Sequence, residues 1–330
     1  MNKRKIGALD CSAIGLGCMS LSHAYGTSLT TKQAERIVLE ALDMGYTLLD
    51  TAALYGFGAN ETLLGKVLKG RRDQVVLASK CGMFKNAAGQ REINGRPEVI
   101  KQTCEDSLQR LQTDTIDLYY LHRWDKRVPI EESVGALSEL VSAGKIREIG
   151  LSEVSAETLR KAHRVHPIAA VQNEYSLWTR NPEIGVLAAC LELGAALVAF
   201  SPMARGFLPG DLRDVSLLAG NDLRRNMPRF EDENYAANLQ LLDRVQRVAR
   251  DVGCSSAQLA LAWLLGRGEH IIPIPGTTQS EHLRENFSAL DIKLNPAIFG
   301  QLDEIISQSS VAGNRYNATT QAEIDTEEFA

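Results

Sequence analysis

Hydrophobic positions along the chain alternate between short continuous runs and longer stretches with helical spacing. The first clear helix begins at Thr30, which has the spacing of a capping box with Gln33, and its apolar face continues until Gly45 ends it. A short apolar run then ends in Asp50, and Asn60 is expected to cap the next helix. The pattern therefore predicts a helix, a strand, a loop and a second helix in succession.

The same alternation continues along most of the chain. Runs predicted to be strands lie at 14–18, 46–49, 75–79, 116–121, 146–151, 169–172, 196–200 and 271–274. Near-continuous apolar strands separated by amphipathic helices are typical of parallel strands covered by helices. Eight such units predict one α/β domain over residues 1–330, a (β/α)8 TIM barrel. A polar, acidic stretch at about 319–330 is expected to be a flexible tail.

An open Rossmann-like sheet is the alternative architecture. Such a sheet binds dinucleotides through a GxGxxG motif in its first strand-to-helix turn. The segment from Gly15 to Gly17 begins with GxG but does not continue to the third glycine. The missing motif favours the barrel.

Composition and charge narrow the classes of function. The 330 residues are 44% hydrophobic and 23% charged, which is typical of a globular protein. The net charge of -5 disfavours nucleic acid and anionic membrane surfaces as partners, and the sequence holds no apolar run long enough to span a membrane. Six scattered cysteines without CxxC spacing suit free thiols in a reducing compartment, so we expect a cytoplasmic protein.

Polar residues stand at the carboxyl ends of several predicted strands. In a barrel, catalytic groups lie at the carboxyl ends of the strands. The second, third and fourth predicted strands end in Asp50, Lys80 and His122, and Tyr55 stands in the loop after Asp50. Each residue alone could be a helix cap, a solvated charge or a packed ring. Together they indicate a site, because charges at the ends of buried strands need partners, and Asp50 is the natural partner of Lys80.

The chemistry that suits these four groups is proton donation to a carbonyl oxygen. A tyrosine has an ordinary pKa of about 10, and we expect the ammonium of Lys80 to lower the pKa of Tyr55. Asp50 would hold Lys80, and His122 would polarise the carbonyl group. None of these groups donates hydride, so a reductase would need a nicotinamide cofactor. An aldolase that forms a Schiff base on Lys80 is the alternative chemistry.

Three segments, 50–56, 79–80 and 116–122, resemble the Asp, Tyr, Lys and His regions of the aldo-keto reductase superfamily. Segments 149–152, 171–176, 200–203 and 274–278 resemble the cofactor-binding stretches of that family. The resemblance extends from Gly15 to Asn286 and is strongest to the bacterial and plant branch with perakine reductase-like and auxin-induced-like members. It implies reduction of an aldehyde or ketone, with Tyr55 as the general acid.

The resemblance also implies a set of residues that bind NADPH. Ser152 and Gln172 match positions that bind the nicotinamide carboxamide, and Phe200 matches a ring that stacks on the nicotinamide. Glu153 stands where the family usually has Asn, so one amide contact is lost. The other expected cofactor contacts are Met19, Ser201, Pro202, Met203, Arg205, Gly206, Gly276, Thr277, Thr278, Gln279, His282, Glu285 and Asn286.

The two ends of the cofactor have different expected partners. Arg205 and Gly206 match the loop that approaches the diphosphate, and the segment 204–230 is expected to fold over the cofactor. Many relatives carry Lys at Gly276 and Arg at His282, and losing those cations weakens the preference for NADPH. We therefore expect NADPH, with NADH as the alternative and Arg284 as a replacement cation.

The substrate is expected to be a small carbonyl compound. Its pocket is predicted to be walled by Met19, Tyr25, Trp124 and Trp178, because apolar and aromatic walls suit hydrophobic aldehydes and ketones. No metal is expected, since a His163 and His166 pair lacks a third ligand. The superfamily also includes potassium-channel β subunits, so a cofactor-binding regulatory protein is the second hypothesis. The oligomeric state is left open.

Overall fold

The computed structural model describes residues 3–22, 25, 29–86 and 89–329. In chain order its strands are β1 (Lys3–Ile6), β2 (Leu9–Ser12), β3 (Leu16–Gly17), β4 (Leu48–Asp50), β5 (Val76–Cys81), β6 (Met83–Lys85), β7 (Arg91–Ile93), β8 (Ile116–Leu121), β9 (Ile146–Ser152), β10 (Ala170–Glu174), β11 (Ala196–Phe200) and β12 (Ile271–Pro273). Its helices are α1 (Thr31–Met44), α2 (Ala59–Val67), α3 (Pro97–Leu111), α4 (Ile130–Ser142), α5 (Ala156–Val165), α6 (Val186–Leu193), α7 (Asp232–Val252), α8 (Ser256–Gly266), α9 (Ser280–Ser288), α10 (Pro296–Ile305) and α11 (Ala318–Ala322).

Eight parallel strands form the central sheet, in the order β3, β4, β5, β8, β9, β10, β11 and β12. The two end strands meet: Gly15 N donates to Pro273 O at 3.0 Å, and Gly17 N donates to Pro275 O at 3.1 Å. Strands β5 and β8 are buried at every position, because side chains fill the interior and helices cover the outside. The predicted (β/α)8 barrel in a single domain is confirmed.

Helix α1 forms for the reasons visible in the sequence. Thr30 accepts a hydrogen bond from Gln33 N, the Gln33 side chain accepts from Thr30 N, and the two complete the predicted capping box. Gly45 ends the helix with a φ of 99°, a left-handed conformation that glycine adopts without strain. The helix therefore turns its apolar face, which includes Ile37, toward the barrel.

The prediction that Asn60 caps the second helix is wrong. Helix α2 begins at Ala59, two residues before the start that an Asn60 cap would give, and Asn60 is buried. Its amide Nδ2 donates to Cys18 O at 2.8 Å and to Ser22 Oγ at 2.9 Å, and its Oδ1 accepts from Thr51 Oγ1 at 2.6 Å. Asn60 therefore ties together the loops that follow β3 and β4, at the carboxyl end of the barrel strands.

Several elements were not predicted. The hairpin of β1 and β2 packs Ile6, Leu9 and Cys11 against interior barrel side chains such as Leu118, and so covers one end of the barrel. The hairpin of β6 and β7 extends the loop after β5. Helix α7 follows the long segment 204–230 and buries Leu241, Leu242, Val245 and Val248, a helical spacing that the sequence does contain.

The C-terminal stretch expected to fray is held against the barrel up to residue 329. Asp325 N donates to Glu153 O at 3.0 Å, and the Asp325 carboxylate accepts from Ser155 Oγ at 2.9 Å. The Glu327 carboxylate accepts from Ala156 N at 2.7 Å. These acidic side chains satisfy free backbone and side-chain donors at the start of α5, and negative charge is favourable at a helix N-terminus.

Within the described ranges, every helix is too short or too polar to cross a membrane.

Candidate active site

The four residues predicted from strand ends lie together at the carboxyl end of the barrel. Asp50 ends β4, Lys80 lies near the end of β5, His122 follows β8, and Tyr55 begins a short turn after β4. Lys80 Nζ donates to Asp50 Oδ1, to Thr51 O at 2.8 Å and to Tyr55 Oη at 3.2 Å. The barrel therefore brings the predicted ion pair into contact with the tyrosine hydroxyl.

The rings of Tyr55 and His122 meet edge to face, with centroids 5.9 Å apart and planes at 84°. Both residues line the cavity described below, whereas Lys80 lies behind Tyr55 and is fully buried. A molecule in the cavity can therefore reach the tyrosine and the histidine, while the lysine acts on it only through Tyr55.

Burial raises the pKa of Tyr55 above its ordinary value of about 10, although the charge of Lys80 and its hydrogen bond act in the opposite direction. The expectation that Lys80 gives Tyr55 a lowered pKa is therefore wrong for this structure. The physical reason is that Tyr55 is only 8% exposed, and the loss of water penalises its phenolate more than the ammonium favours it. Tyr55 keeps its proton at neutral pH, as an acid must before it donates.

Lys80 stays protonated. Burial alone would lower its pKa, but the carboxylate of Asp50 and the hydroxyl of Tyr55 outweigh burial and raise it. A buried ammonium with a fixed carboxylate partner places a permanent positive charge beside the tyrosine oxygen. This charge stabilises a phenolate as it forms.

Ser152 and Gln172 are both held by neighbouring polar groups. Gln172 Nε2 donates to Asp50 Oδ2 at 2.7 Å. Ser152 Oγ accepts from Arg123 Nη1 at 3.3 Å, and the same nitrogen donates to His122 O at 2.7 Å. Arg123 was not predicted, since its position beside His122 in the sequence does not reveal where its long side chain lies.

One cavity of about 1100 Å³ extends from the tyrosine to the first turn of α9. Its wall includes Asp50, Tyr55, His122 and Tyr25. It also includes every residue expected to bind the cofactor: Met19, Ser152, Gln172, Phe200, Ser201, Pro202, Met203, Arg205, Gly206, Gly276, Thr277, Thr278, Gln279, His282, Glu285 and Asn286. The barrel thus gathers residues from across the sequence onto one elongated surface.

The loop after β11 has an unusual backbone. Ser201, Ala204 and Arg205 have positive φ angles, and Gly206 has a φ of 86°. The φ of Gly206 favours glycine, and a Cβ there would lie 3.2 Å from Arg224 Nη1, close enough that the arginine would have to shift slightly. Arg224 lines the cavity and was missed, because it lies far along the 204–230 segment.

Arg205 does not point freely into the cavity. Its guanidinium donates to Glu174 Oε2 at 2.7 Å and to Tyr316 Oη at 2.8 Å, and its side chain is only 9% exposed. The cation expected at the diphosphate is therefore already paired with a carboxylate. Arg224 donates to Arg205 O at 3.1 Å, so the loop carries a second cation on the cavity wall.

At the far end of the cavity, Gly276 packs against backbone. A Cβ at this position would lie 2.9 Å from Gly17 O, so a larger residue here would require the neighbouring backbone to shift. The first turn of α9 has no side-chain cap from its N-cap residue, Gln279. Arg284 lies outside the cavity wall, with Nη2 3.9 Å from Glu40 Oε2.

Trp124 and Trp178, which were expected to wall the substrate pocket, lie outside the wall of this cavity. Trp178 is 3% exposed and stacks on Phe207, with centroids 4.1 Å apart, in a cluster that anchors the 204–230 segment. Trp124 Nε1 donates to Val128 O at 2.9 Å. Wall residues that sequence reasoning missed are Ser20, Leu54, Met83, Arg91, Arg123 and Tyr316.

Glu153 lies outside the cavity wall although it follows Ser152 directly. Its φ of 56° turns the buried side chain away, where it forms an ion pair with Arg315 and accepts from Glu174 N at 3.1 Å. Glu153, which stands in place of the usual Asn, therefore links the C-terminal stretch to the end of β9 through its ion pair with Arg315.

Comparisons with known proteins agree with this arrangement. A model described as "Aldo/keto reductase family" matches residues 13–307. The chain is 44% identical over 320 residues to "Aldo-keto reductase yakc [NADP(+)]" of Schizosaccharomyces pombe, covering 95% of this chain and 94% of that protein. It is 42% identical over 308 residues to "Probable aldo-keto reductase 1" of Glycine max, covering 93% and 89%.

Solved structures are similar as well. The glycerol dehydrogenase AKR11B4 from Gluconobacter oxydans has a TM-score of 0.86 and 27% identity, over 96% of this chain and 98% of that one. An aldo/keto reductase from Klebsiella pneumoniae, in complex with NADP and acetate, has a TM-score of 0.69 and 30% identity, over 93% and 95%. The resemblance found in the sequence is confirmed: this chain belongs to the aldo/keto reductase family.

Proposed function

We propose that this protein is an NADPH-dependent reductase that converts an aldehyde or ketone to the alcohol, with Tyr55 as the proton donor. The observation that carries the proposal is the 3.2 Å hydrogen bond between Lys80 Nζ and Tyr55 Oη on the floor of a long cavity. A protonated tyrosine beside a permanent ammonium is suited to give a proton to a carbonyl oxygen.

The shape of the cavity fits an extended dinucleotide. Gly206 and Gly276 lie on the wall, and a Cβ at these positions would meet Arg224 and the backbone of Gly17, respectively. Phe200 lies on the wall, and Arg224, which is itself paired with Asp222, lies beside the 201–206 loop. We assign the nicotinamide to the end with Ser152, Gln172 and Phe200, the diphosphate to 201–206 and Arg224, and the 2′-phosphate to 277–286.

NADPH, when bound, supplies a hydride to the carbonyl carbon. The residues of the chain handle the proton: Tyr55 transfers its proton to the carbonyl oxygen, and Lys80 stabilises the phenolate that is left. Asp50 holds Lys80, while His122 orients the carbonyl group beside Tyr55. Tyr55 then recovers a proton from water, so each turnover adds one hydride and one proton to the substrate.

NADPH is preferred over NADH in this proposal. The fission yeast relative is named for NADP(+), and the Klebsiella structure contains NADP. In this chain the Lys and Arg of many relatives are replaced by Gly276 and His282, so the preference relies on the hydroxyls of 277–280 and on the first turn of α9.

The proposal is tested by titrating the purified protein with NADPH and NADH and by measuring alcohol formed from a neutral aromatic aldehyde. We expect tighter binding of NADPH and alcohol formation only when the cofactor is present. Gly206→Val should weaken cofactor binding, because valine is strained at this φ and its Cβ meets Arg224. Failure to bind either cofactor, or binding without alcohol formation over a broad panel of aldehydes, would contradict the proposal.

A further inference from the structure

The cavity wall carries several arginines, and most of them are neutralised. Within the described residues, the ion pairs of wall arginines are Arg91 with Glu323, Arg205 with Glu174 and Arg224 with Asp222. Behind the wall, Lys80 is paired with Asp50. These charges are therefore balanced before any substrate enters.

Arg123 differs from the other wall arginines. Its Nη1 donates to His122 O at 2.7 Å and to Ser152 Oγ at 3.3 Å, and both of these acceptors are uncharged. Among residues 3–22, 25, 29–86 and 89–329, no carboxylate lies within ion-pair distance of its guanidinium. Arg123 is half-buried, so water screens its charge only in part.

The place of Arg123 matters as much as its charge. It directly follows His122 and lies on the same cavity wall as Tyr55. Its charge reaches the Tyr55 hydroxyl, where it favours the phenolate. The nearest catalytic carboxylate cannot serve as its partner, because Asp50 already accepts from Lys80 and Gln172. Arg123 is therefore left free to pair with an anion that enters the cavity.

The cofactor is not the source of that anion in the proposed arrangement. Its phosphates lie toward the 201–206 loop and α9, and its nicotinamide end carries no negative charge. The remaining candidate is the substrate. Leu54 and Met83 also line the cavity and offer apolar surface to a carbon skeleton.

We propose that Arg123 makes this enzyme selective for aldehydes and ketones that also carry a carboxylate, with the guanidinium binding the carboxylate while the carbonyl group faces Tyr55 and His122. This inference rests on the reductase function proposed above. A planar guanidinium can hold a carboxylate through two parallel hydrogen bonds, which fixes the orientation of the substrate as well as its position.

The test compares two substrates of nearly equal shape, 4-carboxybenzaldehyde and 4-carbamoylbenzaldehyde, which differ in charge. We expect kcat/KM for the acid to exceed that for the amide by about tenfold or more, since one charge-assisted contact has that effect. Arg123→Gln should abolish the preference, because kcat/KM for the acid should fall to the level of the amide measured with the same variant, mainly through a higher KM. Arg123→Lys should keep part of the preference.

Arg91→Gln is the matched control, because it removes a wall arginine that already has a carboxylate partner. It should preserve the preference for the acid. The preference of the wild-type enzyme should also shrink as salt is added. Equal kcat/KM values for acid and amide in the wild type would overturn the proposal. It would also be overturned if Arg123→Gln lowered kcat/KM for the two substrates by the same factor.

A binding measurement separates this inference from the proposed function. Calorimetry of the NADPH complex with benzoate and benzamide needs no turnover. Tighter binding of benzoate that disappears in Arg123→Gln supports the carboxylate site even if neither aldehyde is reduced, in which case only the reductase proposal fails. Equal binding of benzoate and benzamide to the wild-type complex overturns the carboxylate site.

Discussion

Gln172 Nε2 donates a hydrogen bond to Asp50 Oδ2 at 2.7 Å, while Asp50 Oδ1 accepts from Lys80. Both oxygens of this buried carboxylate are thus occupied, one by the lysine that supports Tyr55 and one by a residue assigned to the nicotinamide. Gln172, Asp50 and Lys80 thus form a chain of contacts that leads to Tyr55, the residue proposed as the proton donor.

Replacing Gln172 tests this connection. Gln172→Met keeps the length of the side chain but leaves Asp50 Oδ2 without its donor, so we expect unfolding free energy to fall by about 1 to 3 kcal/mol. Turnover should fall as well, because Asp50 then holds Lys80 less firmly. Urea denaturation and kcat at saturating NADPH measure the two effects. Full activity in a destabilised variant would show that the hydrogen bond is structural only.

The raised pKa of Tyr55 sets the direction of the pH dependence. Reduction needs the protonated phenol, so kcat/KM should be level through neutral pH and decline only above about pH 10, the ordinary pKa of tyrosine. Alcohol oxidation needs the phenolate, so its rate should rise as pH increases. A decline in reduction that begins well below the ordinary pKa of tyrosine would contradict a buried, protonated Tyr55.

The ion pair of Lys80 and Asp50 can be separated into its structural and catalytic roles. Lys80→Met alone leaves a buried carboxylate without its cation and should cost about 3 to 5 kcal/mol of stability. Adding Asp50→Asn removes that charge, so the double variant should recover much of the stability. It should not recover activity, because the charge beside Tyr55 is still missing. Recovery of turnover in the double variant would rule out the proposed role of Lys80.

The C-terminal stretch should depend on the buried pair of Glu153 and Arg315. Glu153→Gln leaves Arg315 with a carboxylate only at 3.9 Å, that of Glu174, so we expect lower stability and faster proteolysis within 315–329. Arg160→Gln, which removes one partner of an exposed ion pair with Glu192, is the control and should not change the unfolding midpoint. Unchanged proteolysis in Glu153→Gln would show that other contacts hold this stretch.

The sequence predicts features that depend on local periodicity. Short apolar runs between helical stretches predict the barrel, and the position of Lys80 and His122 at strand ends predicts that they meet at one rim, because the barrel makes parallel strand ends converge. Helix α7 was not predicted although its apolar residues have helical spacing in the sequence.

Other features depend on contacts between distant segments and are hidden in the sequence. Trp178 packs on Phe207, Arg205 is paired with Glu174, and Asn60 bridges two loops instead of capping a helix. The pKa of Tyr55 belongs to the same group. Its direction depends on how completely the barrel excludes water, which the neighbouring residue types alone do not reveal.

The most direct test of the account is a single-turnover experiment on the wild type and Tyr55→Phe, each first loaded with NADPH. We predict that both proteins bind NADPH with similar affinity, and that Tyr55→Phe forms alcohol from an aldehyde at least about 100-fold more slowly. Tyr46→Phe, which removes a buried hydroxyl bonded to Leu283 O, controls for the loss of a tyrosine oxygen and should turn over normally. Alcohol formation by Tyr55→Phe at the wild-type rate would contradict the assignment of Tyr55 as the proton donor.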